Sequence, residues 1–246
     1  MRICSIKTPI FKPESVHEDV VDAVLNHIED RSIIAISTKI VSLIEGRVIP
    51  FDEVEKPELI KKESDMTLSL NDVYLGVYHT IKDNLLIASA GIDESNAANG
   101  YILYPVDPLA SAIKIWSLIR KETSHKNIGV ILTDSQTRMM RRGVTGFALA
   151  FAGFKPFYSY VGAPDLNGRA LAHTEVNIVD ALATSAVYMM GEGAEQTPIA
   201  VITDAPKIEF SDTPPTLEEF SKTRIPMEQD LYRDILMSAP WVENNG

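Results

Sequence analysis

Carboxylates and turn-forming residues occur together at residues 91–96, where GIDESN follows an apolar run. Asp93, Glu94 and Asn96 lie within four positions of one another. Hard cations such as Mg²⁺ prefer oxygen ligands and need only one or two protein carboxylates beside phosphate oxygens and water. The segment is therefore a candidate corner for a metal ion or a phosphate group. Asp and Asn in a glycine turn also close Asx turns, and this structural interpretation stays open.

A second candidate is TDSQTRMMRRG at residues 133–143, in which Asp134 and Ser135 end an apolar strand-like run. Strand ends are where open α/β sheets present functional residues. A carboxylate and a hydroxyl can hold a metal, while guanidinium groups bind phosphate oxygens bidentately. The alternative is a solvated surface loop, although a cluster of arginines is unusual in so acidic a chain. The arginines are Arg138, Arg141 and Arg142.

Two further segments carry weaker signals. GEGAEQ at residues 191–196 offers Glu192 and Glu195 after a long helical pattern. Glycines commonly end helices, and this role alone would explain the glycines of the segment. STKIVSLIEGR at residues 37–47 presents hydroxyl groups and Lys39 where a strand runs into a turn. A buried edge or a helix start is the structural alternative there.

Composition and charge exclude several other classes of function. The 246 residues include 34 acidic and 23 basic side chains, a net charge of -11, so there is no electrostatic footprint for nucleic acid. An acidic protein that binds anionic substrates needs bound cations or a local cluster of Arg and Lys. The histidines form no HxH or HxxxH pair, and no GxSxG or GxxxxGK[ST] motif occurs. Small-molecule partners are expected.

The expected location is the cytoplasm. Cys4 is the single cysteine, which excludes an internal disulfide and fits a reducing compartment. The first residues lack a signal-peptide pattern, and no apolar run is long enough for a membrane-spanning helix. We therefore expect a soluble protein with no membrane contact.

The elements that must position these residues alternate between strand-like and helical patterns up to about residue 205. This alternation predicts one mixed α and β domain over residues 1–205, with helices packed on a mixed sheet. Residues 52–66 are expected to be exposed. Beyond residue 205 the prolines predict a peripheral tail, 206–246, with short helices. Strands are predicted at residues 2–8, 32–38, 85–90, 128–134 and 198–203.

Helix boundaries are predicted from capping signals. A capping box of Ser15 and Glu18 opens a helix that runs to about Ile28. The Asp107–Pro108 pair provides an N-cap and a first helical residue for a second helix, with a buried stripe that includes Trp116 and Ile119. A third helix begins at Thr174–Glu175 and stops at Gly191 or Gly193.

Several blocks occur in a fixed order between about residues 2 and 204. They are TKIVSLIEGR, GIDESN, DPLASA, DSQTR followed by RRG, and DLNGR leading into TEVNIVDALA and GE. Together they resemble the signature blocks of the coenzyme F420-0:gamma-glutamyl ligase family. Ordered blocks at compatible spacing are far more specific than any one of them. The resemblance implies a GTP-dependent ligase that adds L-glutamate to a deazaflavin precursor, uses two Mg²⁺ or Mn²⁺ ions and forms an intertwined homodimer.

The resemblance also implies roles for individual residues. Asp93 and Asp134 would bind one metal ion, and Ser135 and Glu192 the other. Asn96 would contact the nucleotide. Arg138 and Arg141 would stabilise phosphates or the phosphodiester of the substrate during the reaction. The other positions implied near the nucleotide are Pro9, Ile10, Phe11, Lys12, Thr38, Lys39, Met190, Gly191 and Gly193.

The chain departs from the family pattern at several positions. Leu43 stands where the family usually has a lysine, Thr137, Met139 and Met140 replace Gly, Pro and Trp, and Gly146 replaces a polar residue. The carboxylates are retained while part of the nucleotide and substrate surface differs. Two alternatives therefore stay open: a diverged ligase with a different acceptor, and a non-catalytic metal- or nucleotide-binding protein of the same fold.

Overall fold

A computed structural model describes residues 1–69, 74–95, 97 and 99–244. Its main sheet has five strands in the order β1-β12-β2-β8-β9. Only the β2–β8 pair is parallel; β1–β12, β12–β2 and β8–β9 are antiparallel. The prediction of a mixed α and β fold is confirmed. The strands are Arg2–Ile6 (β1), Ser32–Ser37 (β2), Val48–Pro50 (β3), Met66–Leu68 (β4), His79–Lys82 (β5), Leu85–Ala88 (β6), Gly100–Ile102 (β7), Ile128–Thr137 (β8), Val144–Ala152 (β9), Phe157–Ser159 (β10), Glu175–Asn177 (β11), Ile199–Thr203 (β12) and Trp241–Glu243 (β13).

Helices cover both faces of this sheet. Apolar side chains of α1 and α4 pack on one face, and those of α5 pack on the other. Because both faces are covered, the central strands are almost continuously apolar, as in SIIAIS of β2 and IAVIT of β12. No helix in the described part of the chain is long and apolar enough to cross a membrane. The helices are His17–Leu25 (α1), Thr38–Ile44 (α2), Lys56–Glu63 (α3), Pro108–Glu122 (α4), Ile178–Met190 (α5), Leu217–Ser221 (α6) and Arg233–Ser238 (α7).

Capping predictions succeeded for one helix and failed for two. The Asp107 carboxylate accepts a hydrogen bond from the Ala110 amide at 2.9 Å and caps α4, as predicted. Ser15 does not cap α1, because its hydroxyl accepts from Lys12 N in the preceding turn and Val16 is the N-cap. The carboxylate that reaches back to the Val16 amide belongs to Asp19, not to Glu18.

The start of α5 is the second failure. Residues 175–177 form β11, which pairs with β10, so the helix begins at Ile178 instead of Thr174. The Asn177 side chain caps it by accepting from Asp180 N at 3.0 Å. The predicted stop is correct, since Gly191 ends the helix at a φ of +82°.

Residues 52–66 are less exposed than expected. They contain α3, whose Leu59 and Ile60 are buried in a small core with Ile92 and Leu103. Two apolar positions within a charged sequence were too weak a pattern to reveal this helix. Its packing supports the segment that leads to Asp93.

A second sheet, in the order β13-β4-β5-β6, leads through a 3-10 turn at Ser89–Gly91 to Asp93. The C-terminal residues contact both sheets. Phe220 packs against the two main apolar clusters, and β13 extends the small sheet by pairing with β4. The division into two parts at residue 205 stays a prediction.

Candidate active site

A cavity of about 490 Å³ opens between the chain after β1, the start of α2, β8 and the turn that ends α5. This volume lies within the range of small-molecule sites. Many of the residues implied by the resemblance line it. They are Pro9, Ile10, Phe11, Lys39, Asp134, Ser135, Met190, Gly191, Glu192 and Gly193.

Asp134 lies within β8, not at its end. The strand continues to Thr137 as a hairpin with β9, so the predicted strand end at residue 134 is wrong. A register shift between Leu132 and Thr133 interrupts the pairing just before the aspartate. Such bulges re-aim side chains near functional sites. The strand therefore carries Asp134 to the cavity one residue beyond its last pairing with β2, where it pairs only with β9.

Burial raises the pKa of Asp134 to about 6, with the nearby charge of Asp93 adding to the effect. Hydrogen bonds from Tyr104 and from the Ser135 amide act in the opposite direction without overcoming it. Glu192 behaves similarly, since burial and the charges of Asp93 and Glu195 raise its pKa. A cation bound in the cavity would therefore stabilise the ionised forms of both carboxylates.

Tyr104 is a site residue that the sequence did not indicate. Its hydroxyl donates to Asp134 Oδ2 at 2.5 Å, and its side chain is buried beside Phe147 and Leu149. Burial and the adjacent carboxylate raise the pKa of this phenol well above its usual value, so it acts as a donor. A tyrosine in the apolar run YILYP gives no sequence signal of a contact thirty residues further along the chain.

Lys39 is the cation nearest to these carboxylates in the described part of the chain. Its Nζ lies 2.6 Å from Asp93 Oδ2 and 2.9 Å from Ser95 Oγ. Burial alone would raise the pKa of Asp93, but the hydrogen bonds from Lys39 and Ser95 outweigh it and lower the pKa. The positive charge of Lys39 also favours the ionised forms of Asp134 and Glu192.

The turn after α5 brings the last carboxylate into the cavity. Gly191 takes a backbone conformation that L side chains rarely adopt, and a Cβ there would meet the Glu195 carboxylate at 2.5 Å. Glu195 Oε2 accepts from the Gly193 amide at 2.8 Å and closes the turn. Glu192 consequently lies close enough to Ser135 for that hydroxyl to lower its pKa.

Other predicted residues lie elsewhere. Thr38 is buried and donates its hydroxyl to the Thr133 carbonyl. Lys12 is not among the side chains that line the cavity. Arg138 and Arg141 are exposed near the tip of the β8–β9 hairpin, beyond the end of β8 at Thr137. Arg138 is four residues, or roughly 13 Å of extended chain, from Asp134. Asn96 lies outside the described residues.

The donor set fits hard divalent cations. Carboxylates and a hydroxyl line the cavity, and burial raises the pKa of Asp134 and of Glu192, so a bound cation would favour their ionised forms. Within the described ranges, no three acidic, histidine or cysteine side chains converge closely enough to hold an ion by themselves. This arrangement suits an ion such as Mg²⁺, which keeps water and takes further oxygens from a phosphate.

Comparison with known proteins identifies the family. The model of the F420-0:gamma-glutamyl ligase family matches residues 5–204. The chain belongs to this family. A coenzyme F420:L-glutamate ligase of Methanocaldococcus jannaschii is 35% identical over 83% of this chain and 88% of the relative. A relative of the same name from Methanococcus maripaludis is 34% identical over 84% of this chain and 86% of its own length. Another, from Archaeoglobus fulgidus, is 32% identical over 71% of this chain and 76% of its own length.

Membership confirms two predictions from the sequence. The resemblance to the F420-0:gamma-glutamyl ligases was correct, and the chain is an enzyme of the ligase class. The matched residues include every segment that lines the cavity, from Thr8 to Pro198. The roles of individual residues, the metal ions and the nucleotide stay predictions.

Proposed function

We propose that this protein joins L-glutamate through an amide bond to a small carboxylate substrate, most specifically coenzyme F420-0, in a reaction that needs a nucleotide and divalent metal ions. One observation carries the proposal. Asp134, Ser135, Glu192 and Lys39 line a single cavity within a chain that belongs to the F420-0:gamma-glutamyl ligase family. Hard cations and phosphate groups are the ligands that this combination of side chains suits.

The proposed metal ligands fall into two neighbouring pairs. Asp93 and Asp134 would hold one Mg²⁺ or Mn²⁺ ion, and Ser135 and Glu192 would hold the other. Their proximity supports this assignment, because the charge of Asp93 raises the pKa of Asp134 and the Ser135 hydroxyl lowers that of Glu192. When bound, the ions would offset the charge of a phosphoryl group in transfer.

The nucleotide, proposed to be GTP, would lie along the rest of the cavity. The turn at residues 191–193 and the segment Pro9–Phe11 line its wall, with Lys39 beside the carboxylates. An ammonium group suits a phosphate oxygen. Asn96 and Lys12 are proposed as further contacts on the strength of the family resemblance.

The proposed reaction has two steps. An oxygen of the acceptor carboxylate attacks the terminal phosphorus of the nucleotide, which forms an acyl phosphate and releases the nucleoside diphosphate. The glutamate amine then attacks the acyl carbon, loses a proton and displaces inorganic phosphate, which leaves the amide. The apolar wall formed by Ile40, Leu43 and Val187 would limit the access of water to the acyl phosphate.

Arg138 and Arg141 are proposed to bind phosphate oxygens of the acceptor. Both side chains are exposed on the β8–β9 hairpin and do not line the cavity of their own chain. An extended acceptor, or the cavity of a second subunit, would bring them to the substrate. We propose a homodimer on this basis, and the exposed Met139, Met140 and Leu166 are apolar surface that it could cover. Light scattering of the purified protein tests the dimer, and a monomer at working concentration would contradict it.

Transfer of labelled L-glutamate tests the function. Purified protein, GTP or ATP, Mg²⁺ or Mn²⁺ and F420-0 are expected to yield a glutamylated deazaflavin, detected by mass spectrometry, with no product when metal or nucleotide is omitted. Asp134→Ala is expected to abolish transfer while the variant stays folded. Asp30→Ala, at the opposite end of the same strands, is the control. Full activity of Asp134→Ala would refute the metal assignment.

A different carboxylate acceptor is the second candidate. Leu43 places an apolar side chain in the cavity where the family usually has a lysine, and Met140 is fully exposed on the hairpin that would meet the acceptor. A panel of carboxylates, each supplied with labelled glutamate, separates the two. Transfer to another acceptor but not to F420-0 would favour this second candidate, and binding of metal and nucleotide without any transfer would favour a non-catalytic protein.

A further inference from the structure

We propose that Tyr104 determines which metal ion the site accepts. Its hydroxyl donates to one carboxylate oxygen of Asp134, so that chelation of a metal by both oxygens would compete with this hydrogen bond. This restriction favours small octahedral cations, Mg²⁺ and Mn²⁺, over Ca²⁺. The inference rests on the proposed metal dependence and adds a residue that determines metal specificity.

The hydrogen bond is built into the fold. Tyr104 is 5% exposed, and its hydroxyl donates to Asp134 Oδ2 at 2.5 Å. Among the described residues, Tyr104 is the side chain that donates to this carboxylate. The ring packs with Ile87, Phe147 and Leu149 in one apolar cluster. A ring held in this way has little freedom to release the carboxylate oxygen when a metal ion arrives.

The main chain of Tyr104 is fixed as well. Its carbonyl accepts from Arg47 Nε at 2.9 Å, and the guanidinium group of Arg47 is in turn held by both oxygens of Glu63. Arg47 also accepts the Leu103 amide at its carbonyl, at 2.9 Å. These contacts position the phenol independently of Asp134.

Gly91 provides the space that the phenol needs. A Cβ built at this glycine would lie 2.2 Å from Tyr104 Cζ and 2.6 Å from its hydroxyl oxygen. The φ of +73° at Gly91 also disfavours any other residue. The glycine of the GIDESN segment therefore lets Tyr104 reach Asp134 past the loop that carries Asp93.

The chemical consequence follows from how these cations bind carboxylates. Ca²⁺ takes six to eight oxygens and commonly binds a carboxylate through both of them, whereas Mg²⁺ requires near-octahedral geometry with shorter bonds. A phenol that donates to one oxygen of an aspartate orients the carboxylate and disfavours chelation through both oxygens, so single-oxygen coordination is favoured. Hydrogen-bond partners of metal ligands typically change metal affinity by 10–100-fold.

Calorimetric titration of the full chain with Mn²⁺ and with Ca²⁺ tests the inference, first without substrates and then with a non-hydrolysable GTP analogue, each against a blank without protein. The wild type is expected to bind Mn²⁺ more tightly than Ca²⁺. In Tyr104→Phe the dissociation constant for Mn²⁺ is expected to rise about tenfold, because Asp134 is no longer oriented. The dissociation constant for Ca²⁺ is expected to stay constant or fall, since no hydrogen bond from the phenol then competes with chelation by both oxygens.

Tyr101→Phe is the matched control. Tyr101 precedes Tyr104 by three residues, and its ring packs against Phe51 at a centroid distance of 4.8 Å. The control is expected to leave both dissociation constants unchanged. Thermal unfolding of each variant establishes that the fold is retained.

The outcomes separate this inference from the proposed function. If Tyr104→Phe changes the affinity for both ions by the same factor, or for neither, the specificity role is wrong while the metal site stands. Equal affinity of the wild type for the two ions overturns the role without reference to any variant. If the wild type binds neither ion, alone or with a non-hydrolysable GTP analogue present, the proposed metal dependence fails and the inference fails with it.

Discussion

Lys39 supplies positive charge beside the carboxylates of the cavity when no metal ion is bound. Its Nζ is 2.6 Å from Asp93 Oδ2, and its charge also favours the ionised forms of Asp134 and Glu192. An ammonium group in this position would compete with a divalent ion for Asp93. When metal and nucleotide bind, we expect it to move from the aspartate to a phosphate oxygen.

The variant Lys39→Met therefore has opposite expected effects on two ligands. Without nucleotide, Mn²⁺ should bind more tightly than to the wild type, because a competing positive charge is gone. GTP in the presence of metal should bind more weakly, because a phosphate partner is lost. Calorimetric titrations of the two ligands measure both effects, and a change of severalfold in each direction is expected.

Lys56→Met provides the control. Lys56 forms an ion pair with Glu94, the residue next to Asp93, but does not line the cavity. It should change neither affinity appreciably. Weaker binding of Mn²⁺ to Lys39→Met would contradict the competition between Lys39 and the metal ion.

At the residue scale, the sequence predicted the carboxylates but not their immediate partners. Asp134, Ser135 and Glu192 were found because Asp, Ser and Glu beside glycines and arginines resemble a known pattern. Tyr104 and the pairing of Lys39 with Asp93 depend on contacts between distant segments, and no local spacing encodes such contacts. The sequence also did not indicate that Arg138 and Arg141 lie away from the cavity, because this too depends on how distant segments fold together.

At the scale of single elements, the packing of α5 on β9 explains why a glycine stands at residue 146. A Cβ there would lie 2.6 Å from Val187 Cβ and 2.7 Å from the Ala183 carbonyl oxygen. The Gly146 carbonyl also accepts the Thr184 hydroxyl at 2.6 Å. Helix packing in this chain thus requires glycine at position 146, where the family usually has a polar residue.

Gly146→Ala should consequently destabilise the protein by about 1–3 kcal/mol, because the added methyl group forces α5 away from the strand. Urea denaturation followed by circular dichroism measures the free energy of unfolding. Gly193→Ala is a suitable comparison, since its Cβ would meet only the flexible Glu195 carboxylate at 3.3 Å. Equal stability of Gly146→Ala and the wild type would show that α5 can shift without cost.

The sequence predicted most helices and strands but not where some of them begin or end. The central strands and α4 were recognisable because apolar runs and an Asp-Pro start are local signals. The extension of β8 past Asp134 and the pairing of β11 with β10 arise from hairpin contacts that outweigh local preference. The helix α3 was missed because its buried face consists of two residues.

At the scale of the whole molecule, Glu63 joins three separate segments. Its carboxylate accepts hydrogen bonds from Arg47 at 2.9 and 3.0 Å and from Lys82 at 2.8 Å. Burial alone would raise the pKa of Glu63, but these cations outweigh it and hold the pKa below its usual value. The two cations therefore favour the ionised carboxylate by more than burial disfavours it.

Because the folded state lowers this pKa, the carboxylate stabilises the fold above its unfolded pKa and loses that effect as pH falls through the folded pKa. Glu63→Gln should be less stable than the wild type by about 2–4 kcal/mol at neutral pH. The difference should shrink in acid, once the wild-type carboxyl is protonated. Denaturant titrations at several pH values measure it, and a difference independent of pH would refute this explanation.

The C-terminal residues connect the two sheets through Arg224. Its guanidinium donates to the Leu149 carbonyl in β9 at 3.0 Å and to the Asp83 carbonyl between β5 and β6 at 3.2 Å. It also lies over the ring of Phe220, at 4.6 Å from the centroid. The tail thus holds the sheet that leads to Asp93 against the sheet that carries Asp134.

Arg224→Ala is expected to cost about 1–3 kcal/mol of stability, since the partly buried Leu149 carbonyl loses its donor and the contact with the exposed Asp83 carbonyl is lost as well. Arg233→Ala, at an exposed position of the same tail, should change stability by less than about 0.5 kcal/mol. Differential scanning calorimetry compares the two variants. A similar loss in both would mean that Arg224 does not connect the sheets.

Release of inorganic phosphate tests most directly whether this protein is a nucleotide-dependent glutamate ligase. GTP and ATP are each supplied with Mg²⁺ or Mn²⁺ and with no acceptor, with L-glutamate alone, or with L-glutamate and F420-0. We predict release from GTP that requires both L-glutamate and F420-0, in a ratio of one phosphate to one amide bond formed. Release that is independent of the acceptors, or no release although metal and nucleotide bind, would contradict the proposed function.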